Sequence, residues 1–153
     1  MAKFVYQAFL TPEDGGCYSV EFPDLPGCFS CGDGYEDAVF MAADAAKTYV
    51  AEKMAHGEVP PRGRIDRPAP EGGIAVNVFF ETDPSYVVEG DVVSAAEASR
   101  RLGVSPGRVT HMIDSGILDG YRDGRRTFVS VASIARRKEE GAHPGRPRKA
   151  AMA

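Results

Sequence analysis

The first residues alternate between apolar and polar. Phe4, Tyr6, Ala8 and Leu10 share one face of an extended segment, which predicts a strand. Thr11-Pro12-Glu13-Asp14-Gly15-Gly16 is turn chemistry. Tyr18, Val20 and Phe22 then form the inward face of a second strand. Neither Pro23 nor Pro26 can donate to a ladder, so Pro23-Asp24-Leu25-Pro26-Gly27 interrupts the sheet, and Cys28 to Cys31 predicts a short third strand. The period then changes. Ala38, Met41, Ala42, Ala45, Tyr49 and Glu52 follow helical spacing, with Asp33 as predicted N-cap and Glu36 as its capping-box partner. Gly57 closes that helix, 59–73 reads as a loop rich in Pro, Gly and Arg, and Ile74, Val76, Val78 and Phe80 line a fourth strand.

A second periodic block begins near Asp91. Ser94-Ala95-Ala96-Glu97 is a capping box, Ala98 and Leu102 continue a buried face, and Gly103 ends the helix. Ser105-Pro106 restarts a helix as N-cap and first residue, with Val109, Met112 and Ile113 inward and Gly116 as its end. Two short helices joined by Gly103-Val104 make a helix-turn-helix. Leu118 to Ser130 contains Asp123-Gly124, a hairpin signal, and Ser130 caps a last helix through Lys138. The tail from Gly141 to Ala153 reads as disordered.

A helix-turn-helix followed by an arginine-tipped hairpin predicts a winged DNA reader. The helix from Ser105 to Ser115 would enter the major groove, with Arg108 reaching base edges or phosphate and Thr110 and His111 on the exposed face. Arg122, Arg125 and Arg126 would set the wing on the phosphate backbone. The stretch VSAAEASRRLGVSPGRVTHMIDSGILDGYRDGRRTFVSVASI is similar to the winged helix-turn-helix of the MerR and excisionase families. Pro144 to Lys149 resembles an AT-hook core, in which Arg146, Arg148 and Lys149 would follow a narrow minor groove; a solubilising basic tail is the plain alternative.

Charge sharpens this division. The whole chain of 153 residues carries −4, but residues 1–90 hold 6 basic and 15 acidic residues, a net of −9, and residues 91–153 hold 12 basic and 7 acidic, a net of +5. Two modules with different partners are implied: nucleic acid for the basic end, a basic protein for the acidic end. No apolar run approaches the length of a membrane helix and no signal-peptide pattern opens the chain, so a cytoplasmic location without membrane contact is expected. Three cysteines, Cys17, Cys28 and Cys31, argue against a disulfide framework, and 28 and 31 fall on opposite faces of a strand, against a zinc site. Glu21, Asp24, Asp33, Glu36, Asp37 and Asp44 raise a metal-dependent nuclease as an alternative, but Asp33 and Glu36 have a capping role and no His accompanies them. The expectation is a chain with no catalytic residue, no metal and no cofactor.

The N-terminal residues carry a second resemblance. YSVEFPDLPGCFSCGDGYEDAVFMAADAAKTYV resembles the signature of HicB-family antitoxins: Phe22 to Cys28, then Ser30 with Gly32 and Asp33, then an acidic-start, Ala-rich helix from Glu36. The resemblance implies an α+β chain: a partial ribonuclease-H-like domain of three antiparallel strands, a helix and a fourth strand, without enzymatic activity. The expected layout is a toxin-binding domain over 1–82, a linker over 83–90, the winged helix-turn-helix over 91–140 and the basic tail over 141–153. The resemblance also implies a small basic HicA-like mRNA-cleaving toxin as partner and operator DNA as the second. A homo-oligomer, dimer or tetramer, would present two reading heads to a palindrome. Asp24, Leu25, Glu36 and Asp37 are the candidate toxin-facing residues. The alternative is a stand-alone regulator whose first domain serves oligomerisation or sensing.

Overall fold

The structure, a computed structural model, describes residues 1–141. The chain divides into two compact units, Met1–Val87 and a second beginning at Val88. Both are mixed α/β with antiparallel sheets.

In the first unit, β1 (Ala2–Pro12), β2 (Tyr18–Glu21), β3 (Phe29–Gly32) and β4 (Ile74–Thr82) form one sheet in the order β3-β2-β1-β4. The inward face is the one the alternation predicts: Tyr6, Ala8, Leu10, Val20, Val78 and Phe80 are buried together. Phe4, Tyr6 and Phe80 stack with ring centroids 5.6–6.1 Å apart. The helix α1 (Tyr35–Ala55) covers this face through Ala38, Ala42, Ala46 and Val50. Four-residue spacing of small side chains lets its backbone lie close to the strands.

Three expectations about α1 are corrected. Its N-cap is Gly34, at φ 110°, and no side chain caps it. Asp33 instead donates its own backbone N–H to the Asp37 carboxylate at 2.8 Å. The displacement follows from Gly32, where a Cβ would collide with the Ala38 backbone, so the helix must start later and tighter than a capping box at Asp33 and Glu36 allows. Met41, predicted inward, is exposed.

In the second unit, α2 (Ala95–Leu102) and α3 (Pro106–Asp114) precede a hairpin of β6 (Gly120–Asp123) and β7 (Arg126–Ser130), followed by α4 (Val131–Glu140). Each helix start is capped locally. Ser94, Ser105 and Ser130 accept from the backbone N–H of Glu97, Arg108 and Ser133 at 3.1, 3.1 and 3.2 Å. Gly103, in the left-handed conformation at φ 66°, ends α2. A strand missed by the alternation, β5 (Val92–Ser94), pairs with β7, so the sheet has the order β5-β7-β6. Asp123 pairs with Arg126, which places the turn at Gly124-Arg125, one residue later than the Asp-Gly signal suggested. Ala98, Val109, Met112, Leu118, Val129 and Ile134 form the core.

The predicted linker over 83–90 is ordered in its first half. Pro84–Val87 forms a 3-10 turn, and Lys47 lies 4.6 Å over the Tyr86 ring. The predicted minor-groove residues Arg146, Arg148 and Lys149 lie outside the described residues.

Candidate functional site

The Phe-Pro-Asp-Leu-Pro-Gly stretch is built as an internal staple. Pro23 stops β2, so β2 pairs only with Phe9 to Pro12 of β1. The connector over 58–73 runs beside the part of β1 left over: Tyr6 donates its hydroxyl to Pro61, and Gly63 abuts the Val5 carbonyl. Two turns close the motif, with Leu25 N–H donating to Phe22 O and Cys28 N–H to Leu25 O. They drive Leu25 fully into the core and aim Asp24 at the connector.

Asp24 accepts from the Arg64 backbone N–H at 2.8 Å and pairs with the Arg67 guanidinium at 2.8 Å. Gln7 completes the clamp, donating to Arg67 O at 2.9 Å and accepting from Arg67 N–H at 3.2 Å. Burial of Asp24 pushes its carboxyl upward, but the Arg64 N–H and the Arg67 guanidinium outweigh this and hold it below the usual carboxylate range. The Asp24 side chain is 12% exposed. Asp24 and Leu25, expected to face a partner, are therefore committed to the interior of the unit, and both leave the list of contact residues. Cys28 is buried, which pushes its thiol up to about 11, while Cys31 is exposed. Among the described residues no group of three or more His, Cys, Asp or Glu could hold a metal ion.

The surface this leaves in the first unit is the solvent face of α1. Glu36, Asp37, Phe40, Met41 and Asp44 fall on it at helical spacings of three and four, opposite the alanine stripe. Phe40 is 66% and Met41 41% exposed. An aromatic ring and a thioether standing among three carboxylates suit a partner that is basic and partly apolar. Met41 was missed because it was read as part of the apolar pattern, and Phe40 was given no role. The signal available was phase, since both fall outside the Ala38-Ala42-Ala46 line.

In the second unit the predicted residues separate. Ser105 is occupied as a cap, and Thr110 donates its hydroxyl to Pro106 O at 3.3 Å. His111 is exposed on the outer side of α3. Arg122 pairs with Asp114 at 3.5 Å, which ties the hairpin to α3. Arg125 and Arg126 stand exposed at the hairpin tip. Arg108 departs from the others. It lines a pocket with Arg101, Arg137 and Lys138, on the same side of α3 as buried Met112. Those three partners were not singled out in the sequence; the signal was the run of basic residues in the last turns of α2 and α4.

Comparison with known proteins bears on the whole arrangement. The family described as "HicB_like antitoxin of bacterial toxin-antitoxin system" matches residues 6–133. The chain is similar to Antitoxin HicB 1 of Photorhabdus laumondii, 29% identical over 113 residues, covering 71% of this chain and 70% of that one. It is similar to UPF0150 protein Ta0767 of Thermoplasma acidophilum, 33% identical over 61 residues, covering 40% and 88%. Among solved structures it resembles the antitoxin HicB of Burkholderia pseudomallei, at 19% identity and TM-score 0.48 over 74% of this chain and 95% of that one. No helix among the described residues is long and apolar enough to cross a membrane. With a match running from the middle of β1 to the first turn of α4, the chain belongs to the HicB-like antitoxin family.

Proposed function

We propose that this chain neutralises a small basic HicA-like mRNA-cleaving toxin with its first unit and represses its own operon by binding operator DNA with its second. The observation that carries the first half is the exposed α1 face, where Phe40 and Met41 stand among Glu36, Asp37 and Asp44. Acidic groups steer a basic partner and exclude wrong ones, and a central aromatic supplies the anchor. The order β3-β2-β1-β4 with α1 on one face supports reading the first unit as a partial ribonuclease-H-like fold. Occlusion of the toxin requires no catalytic residue in this chain.

The test is a growth assay in which the adjacent small reading frame is induced with and without this protein. Growth lost and then rescued by the wild type, but not by Phe40→Ser with Asp44→Lys, supports the reading. Rescue that survives both substitutions moves the interface off α1. A harmless neighbour favours the second reading, a regulator without a toxin.

The second half rests on Arg125 and Arg126 at the tip of a hairpin that follows two capped helices. This supports a MerR-like winged helix-turn-helix, with His111 on the groove-facing side of α3. The edge of β4 supports a homo-oligomer: on the side away from β1, its nine residues, none of them Pro or Lys, meet no further strand among the described residues. Arg125→Ala with Arg126→Ala is expected to weaken operator binding and lower the salt slope by ~1–2. An unchanged slope removes the wing from the mechanism.

A further inference from the structure

The end of α2, the first turn of α3 and the last turn of α4 converge on a pocket of about 290 Å³. Its floor is apolar, from Leu102, Val104 and Met112, and its rim carries Arg101, Arg108, Arg137 and Lys138. Arg101 pairs with Glu97 at 3.1 Å, a carboxylate it shares with Arg100. Arg108, Arg137 and Lys138 form no ion pair with a described residue.

Three cations around one hollow repel one another, and an anion seated among them relieves that repulsion. The helix dipole accounts for Arg137 and Lys138, which sit in the last turn of α4, where positive charge is favoured. It does not account for Arg108. That residue lies in the first turn of α3, the end that favours negative charge, and no acidic residue stands there. A cation at that end makes sense if an anion lies between it and the helix. Arg108 lines the pocket with Met112, one turn further along α3, and is grouped with the backbone-contacting cations.

Charge points to the ligand: two guanidinium groups and one ammonium group around an apolar floor suit a phosphate, which accepts hydrogen bonds from several donors at once.

We propose that this pocket is a phosphate clamp that seats one backbone phosphate of double-stranded DNA, with Arg108, Arg137 and Lys138 as its donors. The proposal rests on the DNA-binding reading of the second unit and adds a contact that neither the wing nor the outer face of α3 supplies.

The test uses the full chain, a labelled duplex from upstream of its own reading frame and an unrelated duplex, titrated from low to moderate salt. Arg137→Gln with Lys138→Gln is the pocket variant, and Arg125→Ala with Arg126→Ala is the wing variant. Circular dichroism melts confirm that each is folded; if the pocket variant is not, Lys138→Glu alone replaces it. The proposal expects the pocket variant to lower the slope of log K against log salt by ~1–2 on both duplexes, with their affinity ratio unchanged. A wild-type slope in the pocket variant overturns the clamp while leaving the DNA-binding reading intact. Wild-type protein with no salt-dependent duplex binding overturns both. Inorganic phosphate that raises the melting temperature of the wild type but not of the pocket variant, with duplex slopes equal, assigns the site to a free anion and overturns the DNA assignment.

Discussion

The two units are held together by different kinds of contact. In the first, the decisive polar bonds join residues far apart in the chain: Asp24 to Arg64 and Arg67, and Gln7 to Arg67 across 60 positions. In the second, each helix is started by a serine three residues from the N–H it caps. The first unit closes a long connector over its sheet and must secure it, since loop closure costs entropy that only tertiary contacts repay. The second unit has a small core and short connections, so local caps supply more of its order. The first arrangement leaves α1 with exposed Glu36, Asp37 and Asp44 on its outer face. The second carries exposed cations on helix ends and a hairpin tip.

Substitutions that act on one unit alone test this contrast, and amide hydrogen exchange read by mass spectrometry distinguishes the two. The largest effect is expected from Leu25→Ala, which empties a fully buried site beneath the staple and should cost about 2–5 kcal/mol in the first unit. Protection in α2 to α4 should not change. If it falls equally, the units are not independent.

Next is Asp24→Asn, which breaks the charge pair and leaves the Arg67 guanidinium, 29% exposed, without its counter-ion. A loss of about 1–3 kcal/mol is expected from the unfolding midpoint in urea. The pH dependence sharpens the assignment. The folded carboxyl titrates below its unfolded value, so its stabilisation is present above about pH 4 and is lost as pH falls through the lower folded value. In the variant this acid-dependent part should be missing. An identical acid profile in variant and wild type would show that the Arg64 and Arg67 contacts do not stabilise the charged form.

Ser105→Ala should cost about 1 kcal/mol, confined to the second unit, by removing the N-cap of α3. The smallest effect belongs to Glu97→Gln. The Arg100 and Arg101 hydrogen bonds hold the Glu97 carboxyl below its ordinary range, yet all three side chains are solvent-accessible and salt screens the pair. Its melting temperature at moderate salt should match the wild type; a clear drop would raise the rank of electrostatics in this unit.

The same contrast explains what could be read in advance. Alternation placed Tyr6, Ala8, Leu10, Val20 and Phe80 on the buried face, because a strand's period of two is a local property. The serine caps and Gly103 were legible for the same reason. Asp33 was misassigned because Ser/Asp-x-x-Glu spacing says nothing about the close approach at Gly32 that moves the helix start. Strand β5 was missed because three residues show no period, and only β7 makes them a strand.

By itself, then, the chain's order of residues determined the element types, the division of charge and the local caps, all of which depend on neighbours within a few positions. Folding alone decided which acids remain available to a partner. Asp24 and Asp44 look alike in the sequence, but a turn between two prolines carries the first into a clamp 40 positions away, while the second stays on the open face of α1. The cationic pocket has the same origin. Arg101, Arg108 and Arg137 come from three helices, and their meeting depends on how those helices pack against one small core, which no local pattern encodes.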